Sequence, residues 1–498
     1  MQAYLQLEAR QKKIAALDNA MGILHWDQET MMPAGAAPAR ASVLAELSVM
    51  VHDLETADGL EELILQAEAD AASLNPWQQA NLREIRHGFV HASAVPAELV
   101  EKLVLASSQA GMTWREARAA DDWASLEPKL DALFALKREE AAIKSEVMGV
   151  TPYEALLDQF DPGRRESQVD RIFDDLAAYL PDILLQIRAR QDAGPRPIIP
   201  PGPFPVERQR ELGLELMKIL GFPFDHGRLD IAHHPFSGGA SGDVRITTRY
   251  EDNDFMASLM AVIHETGHAL YEDGLPADWA TQPVGKSRGM TLHESQSLLL
   301  EMQAARSAEA ISFLVPVIRR VLGGEGEAWE ADNLLRIYRR VEPGLIRVYA
   351  DEVTYPLHVI LRYRLEKAII AGELATADLP GAWNELMASL VGIRPSDNRD
   401  GVMQDVHWPE GILGYFPTYS LGAVAAAQIF AAAKRAEPDL LPGLARGDFQ
   451  PLFNWLDANI RSQGCLYMPD ELIARATGAP LGTEAFKANI LERYLTPA

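Results

Sequence analysis

Apolar residues recur three and four positions apart along most of this chain. ASVLAELSVMVHDLE (41–55), WASLEPKLDALFALKREEAAI (123–143), VDRIFDDLAAYLPDILLQIRAR (169–190) and QPLFNWLDANIRS (450–462) all carry that spacing, which predicts amphipathic helices with one buried face. LGAVAAAQIFAAA (421–433) is apolar all round but too short to span a bilayer, so it predicts a buried helix. No fixed-period repeat is present. The pattern predicts a mainly α protein built as one large helical body.

The helical pattern breaks at GPRPIIPPGPFP, residues 194–205, where proline removes the backbone donors a helix needs. This stretch is expected to be a crossover inside a single domain spanning 1–498. Beyond it, RLDIAHHPF and DVRITTRY flank the glycine-rich SGGASG. Val244, Ile246 and Thr248 alternate with Arg245, Thr247 and Arg249, the period of a strand. The two runs predict a small β-hairpin, whose edge is suited to pairing with an extended peptide or to covering the core.

Next comes AVIHETGHAL, residues 261–270. The DND at 252–254 supplies N-caps and Gly274 a stop, and Phe255, Leu259, Val262, Thr266 and Leu270 form an apolar stripe between them. His264 and His268 lie on the other side, where a surface helix would carry lysine and glutamate. Here that side carries Ala257, Met260, Ala261 and Tyr271, and no Lys or Arg occurs from Phe255 to Asp278. Both faces are therefore expected to be buried or cleft-facing. Gly267 inside the helix predicts a close approach by another segment, since glycine costs about 1 kcal/mol against alanine there.

Two imidazoles four apart project from one helix face and can share a metal ion. Glu265 points about 100° away, beside the ligands rather than among them, where a carboxylate can act as a base. A catalytic zinc needs a third protein ligand. The extended pattern HExxHxxGxxH is excluded because residue 274 is glycine, and Glu272 lies too far along the axis. GMTLHESQSLLLEMQAARS (289–307) reads as the next helix, with Leu292, Leu299 and Met302 inward. It offers Glu294, with His293 and Glu301 as competitors that spacing does not separate.

Composition narrows the field. Hydrophobic residues make up 48% of 498, which marks a globular protein. The net charge of -25, spread along the chain, argues against a nucleic-acid partner. Cys465 is the only cysteine, so neither an internal disulfide nor a cysteine-based metal cluster is available. The N-terminal stretch has no apolar core before a cleavage site. A cytoplasmic protein with no membrane partner is expected.

The chain resembles the carboxypeptidase Taq (M32) family of metallocarboxypeptidases. HPF (234–236), DVRIT (243–247), HETGH (264–268), HESQ (293–296), IRVYAD (346–351) and GVMQDVHW (401–408) stand in the family's order. HWDQETMMPAG (25–35) and YEALLDQFDPG (153–163) extend the likeness over nearly the whole chain. The resemblance implies a helical fold with a deep groove and a small sheet near the HExxH helix, usually as a homodimer. It implies one divalent metal ion per chain, zinc before cobalt, and removal of C-terminal amino acids from peptides with broad preference. His264, His268 and Glu294 become the metal ligands and Glu265 the catalytic base.

Other roles follow from chemistry within those blocks. A substrate C-terminus calls for a fixed cation, and Arg347 is the candidate, the alternative being a brace on Asp351 or Glu352. The tetrahedral intermediate calls for a donor, and His407, Tyr415 and Tyr419 are candidates, each alternatively a packed aromatic. Arg245 and His234 are expected to shape the cleft wall beside the hairpin. An oligopeptidase cutting internal bonds would use the same metal constellation. An inert helical scaffold is the remaining rival, opposed by the intact set of four.

Overall fold

The computed structural model describes residues 1–496. Each of the periodic stretches forms a helix: Ala37–Glu55, Trp123–Met148, Glu166–Ala193 and Gln450–Asn459. The alanine-rich run lies in Pro417–Ala436, buried on nearly every side. One hydrophobic core runs from Ala117 to Tyr494, and a smaller one gathers Tyr4, Leu7, Ile64, Leu82 and Ile85 among the first helices. Among the described residues, no helix is long and apolar enough to cross a membrane. Cys465 is free and buried.

The proline-rich stretch carries no regular element. Its backbone is tied instead at single points: Ile198 N–H donates to Asn333 Oδ1 at 2.8 Å, and Phe204 N–H to Asp252 O at 2.7 Å. The second bond delivers the chain to the residues that cap the histidine helix.

The expected hairpin is replaced by a three-stranded mixed sheet. Strand β1 (Gly227–Ile231) runs parallel to β3 (Asp243–Thr248), and β2 (Ser237–Ala240) pairs antiparallel with β3 on its other side. The glycine-rich segment predicted to be a turn is therefore itself a strand. Packing explains why it is so poor in side chains. A Cβ on Gly22 of helix Gln2–Thr30 would meet Gly239 O at 2.2 Å, so the first helix lies directly on β2. Gly239 also takes φ +114, which a larger residue resists.

Candidate metal centre

The histidine helix spans Phe255–Asp273, its start fixed by Asp254, whose side chain accepts from Met256 N–H and Ala257 N–H. All five residues of the predicted stripe are buried. On the opposite face His268, Met260 and Tyr271 are buried too. Helix Gly289–Leu298 then packs against it. The close approach predicted at Gly267 is real: a Cβ there would meet Gln296 O and Ser297 Cα, each at 2.7 Å. Helix Pro417–Ala436 closes from another side, where a Cβ on Gly422 would meet Glu294 Cβ and Cγ at 2.8 Å. The two glycines hold the segment bearing Glu294 against its neighbours.

That packing brings His264, His268 and Glu294 together, with one donor atom of each inside a 4.8 Å span. Glu294 Oε2 lies 3.5 Å from His268 Nε2 and 3.9 Å from His264 Nε2. The competitors take other places. Past Leu298 the helix widens into a π-helical turn, Leu299–Ala305, which sets Glu301 Oε2 2.9 Å from His264 Nδ1. Glu301 thus grips the far nitrogen of His264 and leaves Nε2 facing Glu294. Glu301 is itself paired with Arg306. His293 stacks on His268 at 4.4 Å and bonds Glu272 through Nε2 at 3.0 Å.

Two nitrogens and one carboxylate oxygen form the donor set of a catalytic zinc-type site. The electrostatics agree. Burial lowers the His264 pKa, but the Glu301 hydrogen bond and the charges of Glu294 and Glu265 outweigh it and carry it to about 10. Burial, helped by His293, takes His268 down to about 4. Glu265 is buried, and its Oε2 meets no hydrogen-bonding group among the described residues. Burial raises its pKa to about 7, with Glu294 adding to the rise and His264 opposing it.

Arg347, His407, Tyr415 and Tyr419 form one adjoining cluster. The Arg347 guanidinium lies 4.8 Å over the Tyr419 ring, and His407 Nε2 is 3.2 Å from Tyr419 OH. Tyr415 and Tyr419 meet edge-on at 5.1 Å. Burial raises both phenols; the Glu294 charge adds to the rise and Arg347 opposes it. Burial takes His407 down to about 4, with Arg347 adding to the shift, so it is neutral near pH 7.

Arg347 pairs with neither Asp351 nor Glu352. Its Nε and Nη2 donate to Asp405 Oδ1 at 3.1 and 2.9 Å, while Asp405 Oδ2 takes Arg362 Nε at 2.6 Å. Asp405, inside the GVMQDVHW block, was not singled out from the sequence: nothing in its spacing marks one acidic residue in an irregular segment. Asp405 takes the Nε–H and one N–H of Nη2 of Arg347 and leaves the end-on N–H groups, on Nη1 and the second on Nη2, outside this bond. Arg245 and His234 sit on and beside the small sheet that packs on the histidine helix. Arg245 pairs with Asp243 and stacks 4.6 Å over Trp26, tying the sheet to the first helix. His234 is exposed, with its carbonyl accepting from Thr247 Oγ1 at 3.3 Å. None of their hydrogen bonds or ion pairs reaches the three ligands.

A mainly helical body with two histidines and a downstream glutamate converging beside a buried carboxylate has the arrangement that HExxH metallopeptidases use. The family model described as carboxypeptidase Taq (M32) metallopeptidase matches residues 6–494. The chain belongs to that family. It is 39% identical to thermostable carboxypeptidase 1 of Thermus thermophilus, over 99% of this chain and 98% of the relative. It is 33% identical to carboxypeptidase 1 of Bacillus subtilis, over 97% and 96%. Among solved structures, metallocarboxypeptidase 1 of Trypanosoma cruzi superposes with a TM-score of 0.98 at 38% identity, covering both chains fully. The M32 carboxypeptidase of Deinococcus radiodurans gives 0.93 at 33%, again covering both fully.

Proposed function

We propose that this chain is a metal-dependent carboxypeptidase that removes amino acids one at a time from peptide C-termini, with broad preference. The observation that carries the reading is the convergence of His264, His268 and Glu294 beside the unpartnered Glu265 carboxylate. Zinc, or cobalt in its place, would be held by those three residues, and when bound it polarises the scissile carbonyl and acidifies water. Glu265 accepts the proton of the attacking water and returns it to the leaving amine, a task suited to a carboxylate lifted to about 7. The end-on N–H groups of Arg347 bind the substrate's terminal carboxylate while Asp405 fixes the guanidinium from its other face. Tyr419, bonded to the neutral His407, donates toward the oxygen that becomes negative. The whole chain is read as one peptidase domain acting in the cytoplasm as a homodimer.

The Asp405 pair also supports a second reading. An arginine whose charge is partly met by a carboxylate, here one shared with Arg362, has less to offer a substrate terminus, which favours internal cleavage of short peptides. One peptide presented as free acid and as amide separates the two. The carboxypeptidase reading expects stepwise shortening of the acid and resistance of the amide. Internal fragments appearing first from both forms would establish the oligopeptidase instead.

A further inference from the structure

One other group of side chains converges as the first does. His87 and His91 stand four apart on helix Pro76–Ser93, and Asp158 caps helix Pro152–Leu157 at its C-terminal end. Asp158 Oδ2 lies 2.6 Å from His87 Nε2 and 2.9 Å from His91 Nε2. The rings meet edge-on with centroids 4.6 Å apart, against 5.0 Å for His264 and His268. Asp158 Oδ1 accepts from Gly163 N–H at 2.7 Å, which aims Oδ2 at the imidazoles. His91 Nδ1 is buried with no hydrogen-bonding partner among the described residues, so that ring is held through its Nε2 edge alone.

We propose that His87, His91 and Asp158 form a second divalent transition-metal site, of zinc-type chemistry, separate from the His264 centre. Two imidazole nitrogens and a carboxylate oxygen, all within 4.8 Å, match the donor set of the first site. Tetrahedral ligands held at about 2.0–2.2 Å stand roughly 3.3 Å apart, so the donors need open by less than an ångström. The His87 side chain is 29% exposed and free to make that shift. His91 also borders a cavity of about 350 Å³ shared with Lys137, Glu140 and Lys144, which has room for water as a further ligand.

The neighbouring charges set the strength of the site. Glu140 accepts from both Lys137 and Lys144, and Glu55 and Glu410 also line the cavity. The His264 centre has Glu265 and Glu301 close by. Among the described residues His91 Nδ1 lacks the carboxylate that His264 has on its far nitrogen, so the second site should bind more weakly than the first. Its position gives it a structural role. Phe160, two residues past Asp158, packs edge-on against Tyr415 at 5.0 Å, and Asp161 accepts from Thr291 of the ligand helix at 2.8 Å. A metal at Asp158 would clip helix Pro76–Ser93 to the loop that leads to Phe160 and Asp161.

The full chain, stripped with chelator and dialysed against zinc alone, is assayed for metal per chain by atomic emission. The wild type is expected to take two zinc ions of unequal affinity. His91→Ala and Asp158→Asn should each take one, as should a variant carrying His264→Ala with His268→Ala. Zinc should raise the melting temperature of wild type more than that of His91→Ala. If His91→Ala does not fold, His87→Gln, which alters a part-exposed ring, gives the same count. A wild type that saturates at one ion, or a second ion retained in both His87→Gln and Asp158→Asn, overturns the site and marks any extra zinc as adventitious. Loss of zinc on changing His91 but none on changing His264 and His268 would leave this site standing and overturn the catalytic assignment instead.

Discussion

His264 is fixed from both sides of its ring, by Glu301 on Nδ1 and by the neighbours of Nε2. A carboxylate on the far nitrogen of a metal-binding histidine orients the ring and raises its basicity. Glu301→Gln should therefore keep the fold and weaken metal binding by about 10- to 100-fold, read by chelator competition; unchanged affinity would leave Glu301 a partner of Arg306 only. Arg347 supports a sharper test. If it anchors the substrate, Arg347→Ala should lose roughly 2 to 5 kcal/mol of kcat/KM on free-acid peptides and almost nothing on amides. Equal losses on both forms, with a lower melting temperature, would make it a brace on Asp405. His358 tests stability. Fully buried on helix Tyr355–Ile370, it is pushed down from 6.5 to about 3 by burial first and then by Arg362 and Arg347. The folded chain thus keeps His358 neutral while the unfolded chain protonates it below 6.5. That stability is present above 6.5 and is lost as the pH falls toward 3. His358→Gln should flatten the fall, by at most about 1.4 kcal/mol per pH unit, in denaturant melts between those pH values. An unaltered slope would show that His358 is already charged in the folded chain.

At the level of elements, the convergence of His264, His268 and Glu294 depends on how closely three helices approach. Gly422 leaves no room for a methyl group against Glu294. Gly422→Ala should force the helices apart, cost about 1–3 kcal/mol of stability and weaken metal binding without touching a ligand. Metal affinity equal to wild type would show that the interface relaxes elsewhere. The sequence made part of this legible. The Phe255–Asp273 helix could be read because its cap, stripe and stop are local signals. Gly267 stood out as a glycine in the middle of a helix. Gly422 did not, because it sits in an alanine-rich run where a small residue looks ordinary. The sheet was misread because strand period marks a strand without naming its partner's direction, and a run of glycines looks like a turn. Spacing alone left Glu294, His293 and Glu301 level, since the π-helical turn that separates their roles has no sequence signal of its own.

Across the whole molecule, the segment entering helix Gly289–Leu298 is tied to remote parts of the chain. Asn81 donates to Gln282 Oε1 and accepts from Val284 N–H, and Cys465 N–H donates to Val284 O. Arg83 Nη2 reaches Cys465 O at 2.6 Å, and Arg288 Nη1 reaches Glu84 Oε1 at 2.7 Å. The piece that delivers Glu294 is thus clasped between residues near 80 and residues near 465, while Gly422 wedges the ligand itself. These ties impose an order in time. Once translation has run far enough past Glu294 for both histidines and the glutamate to leave the ribosome, the helix bearing Gly422 and the loop at Cys465 are still unmade. The nascent chain holds the right donors with nothing to keep them together. On the proposed assignment, tight metal capture belongs to the finished polypeptide, and the growing chain would carry no hydrolytic centre while its own unfolded stretches lie within reach.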